Sequence, residues 1–197
     1  MGKFIYIMGK SASGKDTIAK LLKEKLGLKS YVMYTTRPMR VGEQEGVDYF
    51  YTTEDKIEEY RNNGKLIESR TYQTVHGPWT YATVNDSQLE GESDIIGLGT
   101  PESYINVKKF FDEKGSEKLL PVYVEIDEET RRQRAIKREE QQENPKWEEM
   151  ERRLKADNID FSEENLKAAG IVEGERFKNY DLDTCINEII SYIMKED

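Results

Sequence analysis

Gly9-Lys10-Ser11-Ala12-Ser13-Gly14-Lys15 has the G-x-x-x-x-G-K spacing of a phosphate-binding loop, and it stands between two segments of opposite character. Ahead of it, Phe4-Ile5-Tyr6-Ile7-Met8 is a short apolar and aromatic run of strand type. After it, from Thr17, the residues Ile18, Leu21, Leu22 and Leu26 recur at helical spacing. Small residues between strand and helix let successive backbone N–H groups turn inward. The helix then offers its positive N-terminus, and Lys15 adds a full charge near a transferring phosphoryl group. Gly9, Ser11, Ala12, Ser13, Gly14, Lys15, Asp16 and Thr17 are therefore candidate triphosphate contacts. The residue after the lysine is normally Ser or Thr, whose hydroxyl ligates Mg²⁺; here it is Asp16. An acid in the first turn is favourable against the helix dipole. Its carboxylate can also reach Mg²⁺, directly or through a water, because oxygen ligands suit that ion. Asp16 is thus the candidate metal ligand.

Strand-like runs follow at residues 31–34, 95–98, 119–126 and 171–177, most of them leading into helical patterns such as 101–114 and 182–194. Strands alternating with helices predict an α/β fold, a mostly parallel sheet flanked by helices. Two stretches break the rhythm. Residues 35–83 are rich in aromatic and polar side chains, with turn signals at Gly42, Gly46, Gly64 and Gly77 and one helix over 53–62; they read as an inserted mixed subdomain. Residues 131–154 carry Arg131, Arg132, Arg134, Lys137, Arg138, Arg152 and Arg153 among glutamates, with almost no apolar face and Pro145 in the middle. That stretch reads as a helical, solvent-exposed lid, although composition alone favours an ordinary charged helix pair laced by i,i+4 ion pairs. The expected organisation is core 1–34, acceptor subdomain 35–83, core 84–130, lid 131–154 and core 155–197.

The 197 residues suffice for one such domain. A formal net charge of −9 disfavours a nucleic-acid polymer as partner, so any phosphate site must be local. With a single cysteine, Cys185, no intrachain disulfide can form. No apolar stretch nears the roughly 20 residues that span a bilayer, and Met1 to Met8 lacks the features of a signal peptide; no membrane association and a cytoplasmic location are expected. The lone His76 reads as a loop residue. Cys185 shares a helical face with Ile186, Ile189, Ile190 and Ile193 and reads as core.

The stretch from Thr35-Thr36-Arg37-Pro38-Met39-Arg40 through Gly42-Glu43-Gln44-Glu45-Gly46-Val47-Asp48-Tyr49 sets two arginines at i and i+3, able to fork onto one phosphate as charge-assisted donors. Together with the loop upstream, it closely resembles the T-T-R-x-P-R-x-G-E-x-x-G-x-D-Y signature of guanylate kinases, and the resemblance runs in order along nearly the whole chain. It implies a P-loop kinase core that moves the terminal phosphoryl group of ATP, with Mg²⁺, onto GMP. By the same resemblance Arg37, Arg40, Tyr49 and Tyr81 would hold the GMP phosphate, Glu68 would accept from guanine N1 and the 2-amino group, and Thr83 would touch the base. Arg138 and Arg153 would close over the phosphates, and Asn179 would lie near the adenine of ATP.

Departures are equally specific. The family's D-I-D at the third core strand, one aspartate serving Mg²⁺ and one guanine, is replaced by Gly97-Leu98-Gly99. A small hydroxyl residue two places before T-T is replaced by Met33, and an insertion separates Glu68 from Tyr81. Asp16 is a candidate replacement for the carboxylate lost at Gly97. An acceptor phosphate has its second pKa at about 6, so it needs no general base. Positioning and charge neutralisation by Lys15, Arg37, Arg40, Arg138 and Arg153 would then carry the reaction. A kinase for another nucleoside monophosphate, and a non-catalytic guanylate-kinase-like interaction module, remain the alternative readings; oligomeric state is not legible.

Overall fold

A computed structural model describes residues 2–74, 77–116 and 118–195. The chain runs β1 (Phe4–Met8), α1 (Lys15–Leu26), β2 (Lys29–Ser30), β3 (Tyr34–Thr35), β4 (Phe50–Tyr51), α2 (Glu54–Asn62), β5 (Leu66–Thr74) and β6 (Gly77–Val84). It continues through α3 (Ser87–Glu90), β7 (Ile95–Gly99), α4 (Pro101–Glu113), β8 (Leu119–Glu125), α5 (Glu128–Glu140), α6 (Trp147–Asp160), α7 (Glu163–Ala168), β9 (Arg176–Lys178) and α8 (Leu182–Lys195).

Every residue of β1 is buried, as a strand at the centre of a sheet covered on both faces must be. It pairs in parallel with β7 on one side and β8 on the other, giving a five-stranded parallel sheet in the order β2-β7-β1-β8-β9. Period-two alternation divides its side chains. Ile5 and Ile7 join Ile18 and Leu22 of α1 and Cys185, Ile186 and Ile189 of α8. Phe4, Tyr6 and Met8 enter an aromatic layer with Tyr31, Tyr104 and Phe111 on the opposite face. Cys185 is fully buried, which agrees with the core role read from its helical face.

A second sheet, order β4-β3-β6-β5, occupies the expected insertion. It is mixed: β3 runs parallel to β4 and antiparallel to β6, and β5 and β6 form a long antiparallel pair. That pair accounts for the extra residues between Glu68 and Tyr81, since it brings Glu68 opposite Thr83 and Arg70 opposite Tyr81. Thr53 caps α2 by accepting from the Lys56 amide, as the sequence boundary at 53 implied. The expectation for His76 lies outside the described residues.

Three expectations need correction. Residues 31–34 are not one strand. The Tyr31 hydroxyl donates to Val84 O at 2.9 Å and accepts from the Val84 amide at 2.8 Å, and the Val32 amide donates to the Gln88 side chain at 2.7 Å. Side chains thus meet backbone needs that a ladder would meet, and the apolar residues serve to join the two sheets. Residues 171–177 form a strand only from Arg176. Gly170 turns at φ 74°, Ile171 tucks into the aromatic layer, and a short 3₁₀ turn follows. The charged stretch is not a solvent-exposed flap without an apolar face. α5 and α6 pack through Ala135, Met150 and Leu154, and Arg131 is completely buried.

Candidate active site

The phosphate loop lies at the C-terminal end of β1, where a parallel sheet opens its crevice. Its glycines have distinct reasons. A Cβ at Gly9 would meet the Ser13 hydroxyl at 2.6 Å and Val124 O at 2.7 Å, and Gly14 adopts φ 95° as the N-cap of α1. No side chain caps α1, so the first-turn amides at Lys15, Asp16 and Thr17 keep their donors for a ligand. The buried Ser13 hydroxyl has no partner. Asn179 donates to Ser13 O at 2.7 Å and lies against Gly14, so it braces the loop from behind. Lys15 and Asp16 form an ion pair at 3.2 Å, with the Asp16 carboxylate largely in solvent.

In the second sheet, Arg37 is buried to 3% exposure and held by Glu43 at 2.8 Å. Its guanidinium also lies over Tyr49 at 5.2 Å and Tyr51 at 5.9 Å. Hydrogen bonding from Arg37, with help from the Arg40 amide and the Tyr51 hydroxyl, draws the Glu43 carboxyl down to about 2. Arg40 lends that amide while its side chain stays exposed. Tyr49 and Tyr81 meet edge to face at 5.7 Å, closing an aromatic wall beside Arg37. Glu43 and Tyr51 were not singled out from sequence; Glu43 stood inside the quoted motif, and its spacing to Arg37 was the available signal.

Glu68 and Thr83 meet across the β5–β6 pair, the Thr83 hydroxyl donating to Glu68 Oε1 at 2.7 Å. Glu68 Oε2 is buried and has no hydrogen-bond partner. Burial raises the carboxyl above its ordinary range, against the Thr83 hydrogen bond and the charge of Arg70, which lower it. A carboxylate in this state lacks only a donor.

The α5–α6 pair roots itself in the loop. Asp157 accepts from the Ser11 amide at 2.7 Å and from Arg131 at 3.1 Å, while Arg131 also donates to Glu128, Leu154 O and Asn158. Arg153 reaches the Ser11 hydroxyl at 3.4 Å, and Arg138 stands exposed. Glu149 of α6 is lowered chiefly by its hydrogen bond with Arg152, with smaller contributions from the charges of Arg153 and Arg40. Arg134, not named as a site residue from sequence, donates to Asn179 O at 2.9 Å beside Gly14; its spacing of four to Arg138 was the signal.

The departures have steric causes. A Cβ at Gly97 would lie 2.7 Å from the Phe4 ring, and one at Gly99 would lie 2.0 Å from the Tyr6 hydroxyl. Aromatic side chains of β1 fill the space that side chains of β7 would need. Gly97 therefore faces the aromatic layer, on the side of the sheet opposite α1. Met33 packs against the same layer. Among the described residues no helix is long and apolar enough to cross a membrane.

A glycine loop at the open edge of a parallel sheet, faced by a second sheet that buries a charged arginine, gives the chain the build of a P-loop fold. The profile described as guanylate kinase matches residues 1–168, and the chain belongs to the guanylate kinase family. It is similar to the guanylate kinase of Fusobacterium nucleatum, 34% identical over 117 residues that make up 57% of this chain and 60% of that one. It is similar also to that of Clostridioides difficile, 40% identical over 78 residues, 39% of this chain and 38% of that one. The matched part thus spans no more than 60% of the length of either relative. The crystal structure of guanylate kinase from Anaplasma phagocytophilum shares the fold over 99% of this chain and 86% of that chain, with a TM-score of 0.62 at 20% identity.

Proposed function

We propose that the protein transfers the terminal phosphoryl group of ATP to GMP, releasing ADP and GDP. The observation that carries this reading is Glu68: a buried carboxylate beside Thr83 with one oxygen unpartnered. Guanine offers an N1–H and a 2-amino group to such an acceptor; adenine presents a bare N1 there. Arg37, preset by Glu43, would take the GMP phosphate together with Arg40, Tyr49 and Tyr81. Lys15 and the loop amides from Gly9 through Thr17 would hold the ATP phosphates, with Asn179 keeping the loop in shape. Arg138 and Arg153, on the lid formed by α5 and α6, would complete the cage and exclude water.

A GMP phosphate oxygen then attacks the terminal phosphorus as the bond to the bridging oxygen of ADP breaks. The nucleophile is already ionised, so no side chain need remove a proton. Mg²⁺ suits this site because it is usually bound through one or two carboxylates and the substrate phosphates. Asp16, beside Lys15 on the first turn of α1, would be the protein ligand, and the ion would neutralise charge on the phosphate oxygens. The cytoplasm, the compartment expected from sequence, belongs to the same proposal.

A coupled assay with ATP against GMP, IMP, AMP, CMP and UMP is the direct test. The expected result is turnover of GMP about ten-thousandfold above AMP in kcat/KM, the scale at which hydrogen-bonded sites reject analogues that leave their groups unpaired. Equal use of AMP, or no turnover of any monophosphate, overturns the assignment.

A further inference from the structure

Arg70 lies two residues beyond Glu68 on β5, on the same face of the strand. It crosses from the second sheet to the core, donating to the Thr100 hydroxyl and pairing with Glu102, both at the start of α4. From Thr100 the chain of polar contacts continues: Thr100 Oγ1 lies 3.2 Å from Ser103 Oγ, which lies 2.8 Å from the Tyr6 hydroxyl. Tyr6 reaches that position only because residue 99 has no side chain. One connected polar chain therefore joins β1, α4 and β5, and Glu68 lies on the same face of β5 as Arg70. Thr100 and Ser103 already have uses, as the two halves of the capping box of α4. Arg70 is held from both sides, by Thr100 and Glu102 of α4 and by the Tyr72 hydroxyl of its own strand at 3.2 Å.

We propose that Arg70 is a positioning residue for the acceptor base: it ties the second sheet to α4 and supplies the positive charge that keeps Glu68 ionised for N–H donors. The groups that face Glu68 are Arg70 and Tyr72 from β5, Thr83 from β6, Tyr6 from β1 and Tyr31 from the crossing between the sheets. Arg70 is the single cation in that set. Tyr6 and Tyr31 are themselves pushed up by burial and stay neutral, so they cannot take over its role. Without Arg70, desolvation of Glu68 would act against the Thr83 hydrogen bond alone. Glu68 would then take up its proton at a higher pH and lose the acceptor that guanine needs.

The proposal rests on the GMP reading, and the experiment separates the two. Steady-state kinetics of the wild-type enzyme, Arg70→Lys and Arg70→Gln would be followed from pH 5 to 8 with GMP and ATP varied in turn. The expected result is that Arg70→Gln raises KM for GMP about tenfold with kcat and KM for ATP little changed. The acid limb of kcat/KM for GMP should move to higher pH by about one unit, the lower end of the effect of a nearby opposite charge. Arg70→Lys should keep the acid limb of the wild type. Ionisation of the GMP phosphate is common to all three enzymes and cancels in the comparison. Losses that are equal in the two variants and independent of pH would mark Arg70 as a structural tie and overturn the proposal. A wild-type enzyme indifferent to GMP would instead overturn the assignment of the acceptor.

Discussion

At position 99 the space for a side chain is already taken by the Tyr6 hydroxyl, itself bonded to Ser103 in a fully packed layer. Gly99→Ala is expected to destabilise the protein by about 2 kcal/mol, as overpacking of a filled core does. In a Tyr6→Leu background the same change should cost clearly less than it does in the wild type, a coupling that urea unfolding of the four proteins would measure. Additive losses would mean that the two residues do not compete for space. The same scale shows what sequence could reveal. Arg37 and Arg40 stood out because a motif sets their spacing, whereas Glu43 and Tyr51, which hold Arg37, are ordinary residue types whose role exists only after the chain turns. Gly97 and Gly99 could be read as missing carboxylates, but not as clearance for Phe4 and Tyr6, because that contact lies between strands whose paired residues are 91 apart in sequence.

Among the elements, β1 was legible as an unbroken apolar run ending at a glycine, and α1, α4 and α8 because their apolar residues repeat with the helical period. The α5–α6 pair was misread because charge was counted and burial was not. Arg131 is fully enclosed, and its partners Glu128, Asp157 and Asn158 lie on both helices. Through Asp157 it also fixes the Ser11 amide of the phosphate loop. Removing one member of a buried ionic group leaves the others unpaired, so Arg131→Ala should cost about 3 kcal/mol in unfolding free energy. KM for ATP should rise more than KM for GMP. Denaturant titration and the two KM values check both parts; an unaffected KM for ATP would detach this cluster from the loop. The strand expected at residues 31–34 failed for a different reason. Its aromatic and β-branched residues have the right propensity, but Tyr31 is used to bridge to Val84.

Across the whole molecule, the two tryptophans fall on the two parts added to the parallel core: Trp79 on β6 of the second sheet and Trp147 at the start of α6. If each substrate draws in its own flank, GMP alone should change the emission of Trp79 and ATP alone that of Trp147. Single-tryptophan enzymes, Trp147→Phe and Trp79→Phe, would report this by fluorescence titration; a response of both tryptophans to either nucleotide would show the flanks moving as one. The layered core was readable at this scale from alternating strand and helix patterns, while the docking of the second sheet depends on contacts such as Arg70 to Glu102 that no periodicity encodes. The interlock of Phe4 and Tyr6 with two glycines also limits what this strand edge can carry. A carboxylate cannot be placed at either site in β7 without colliding with a ring from the adjoining strand. A variant bearing one would first have to give up an aromatic ring of β1 and hollow the layer it fills, so packing rather than chemistry keeps acids away from this edge.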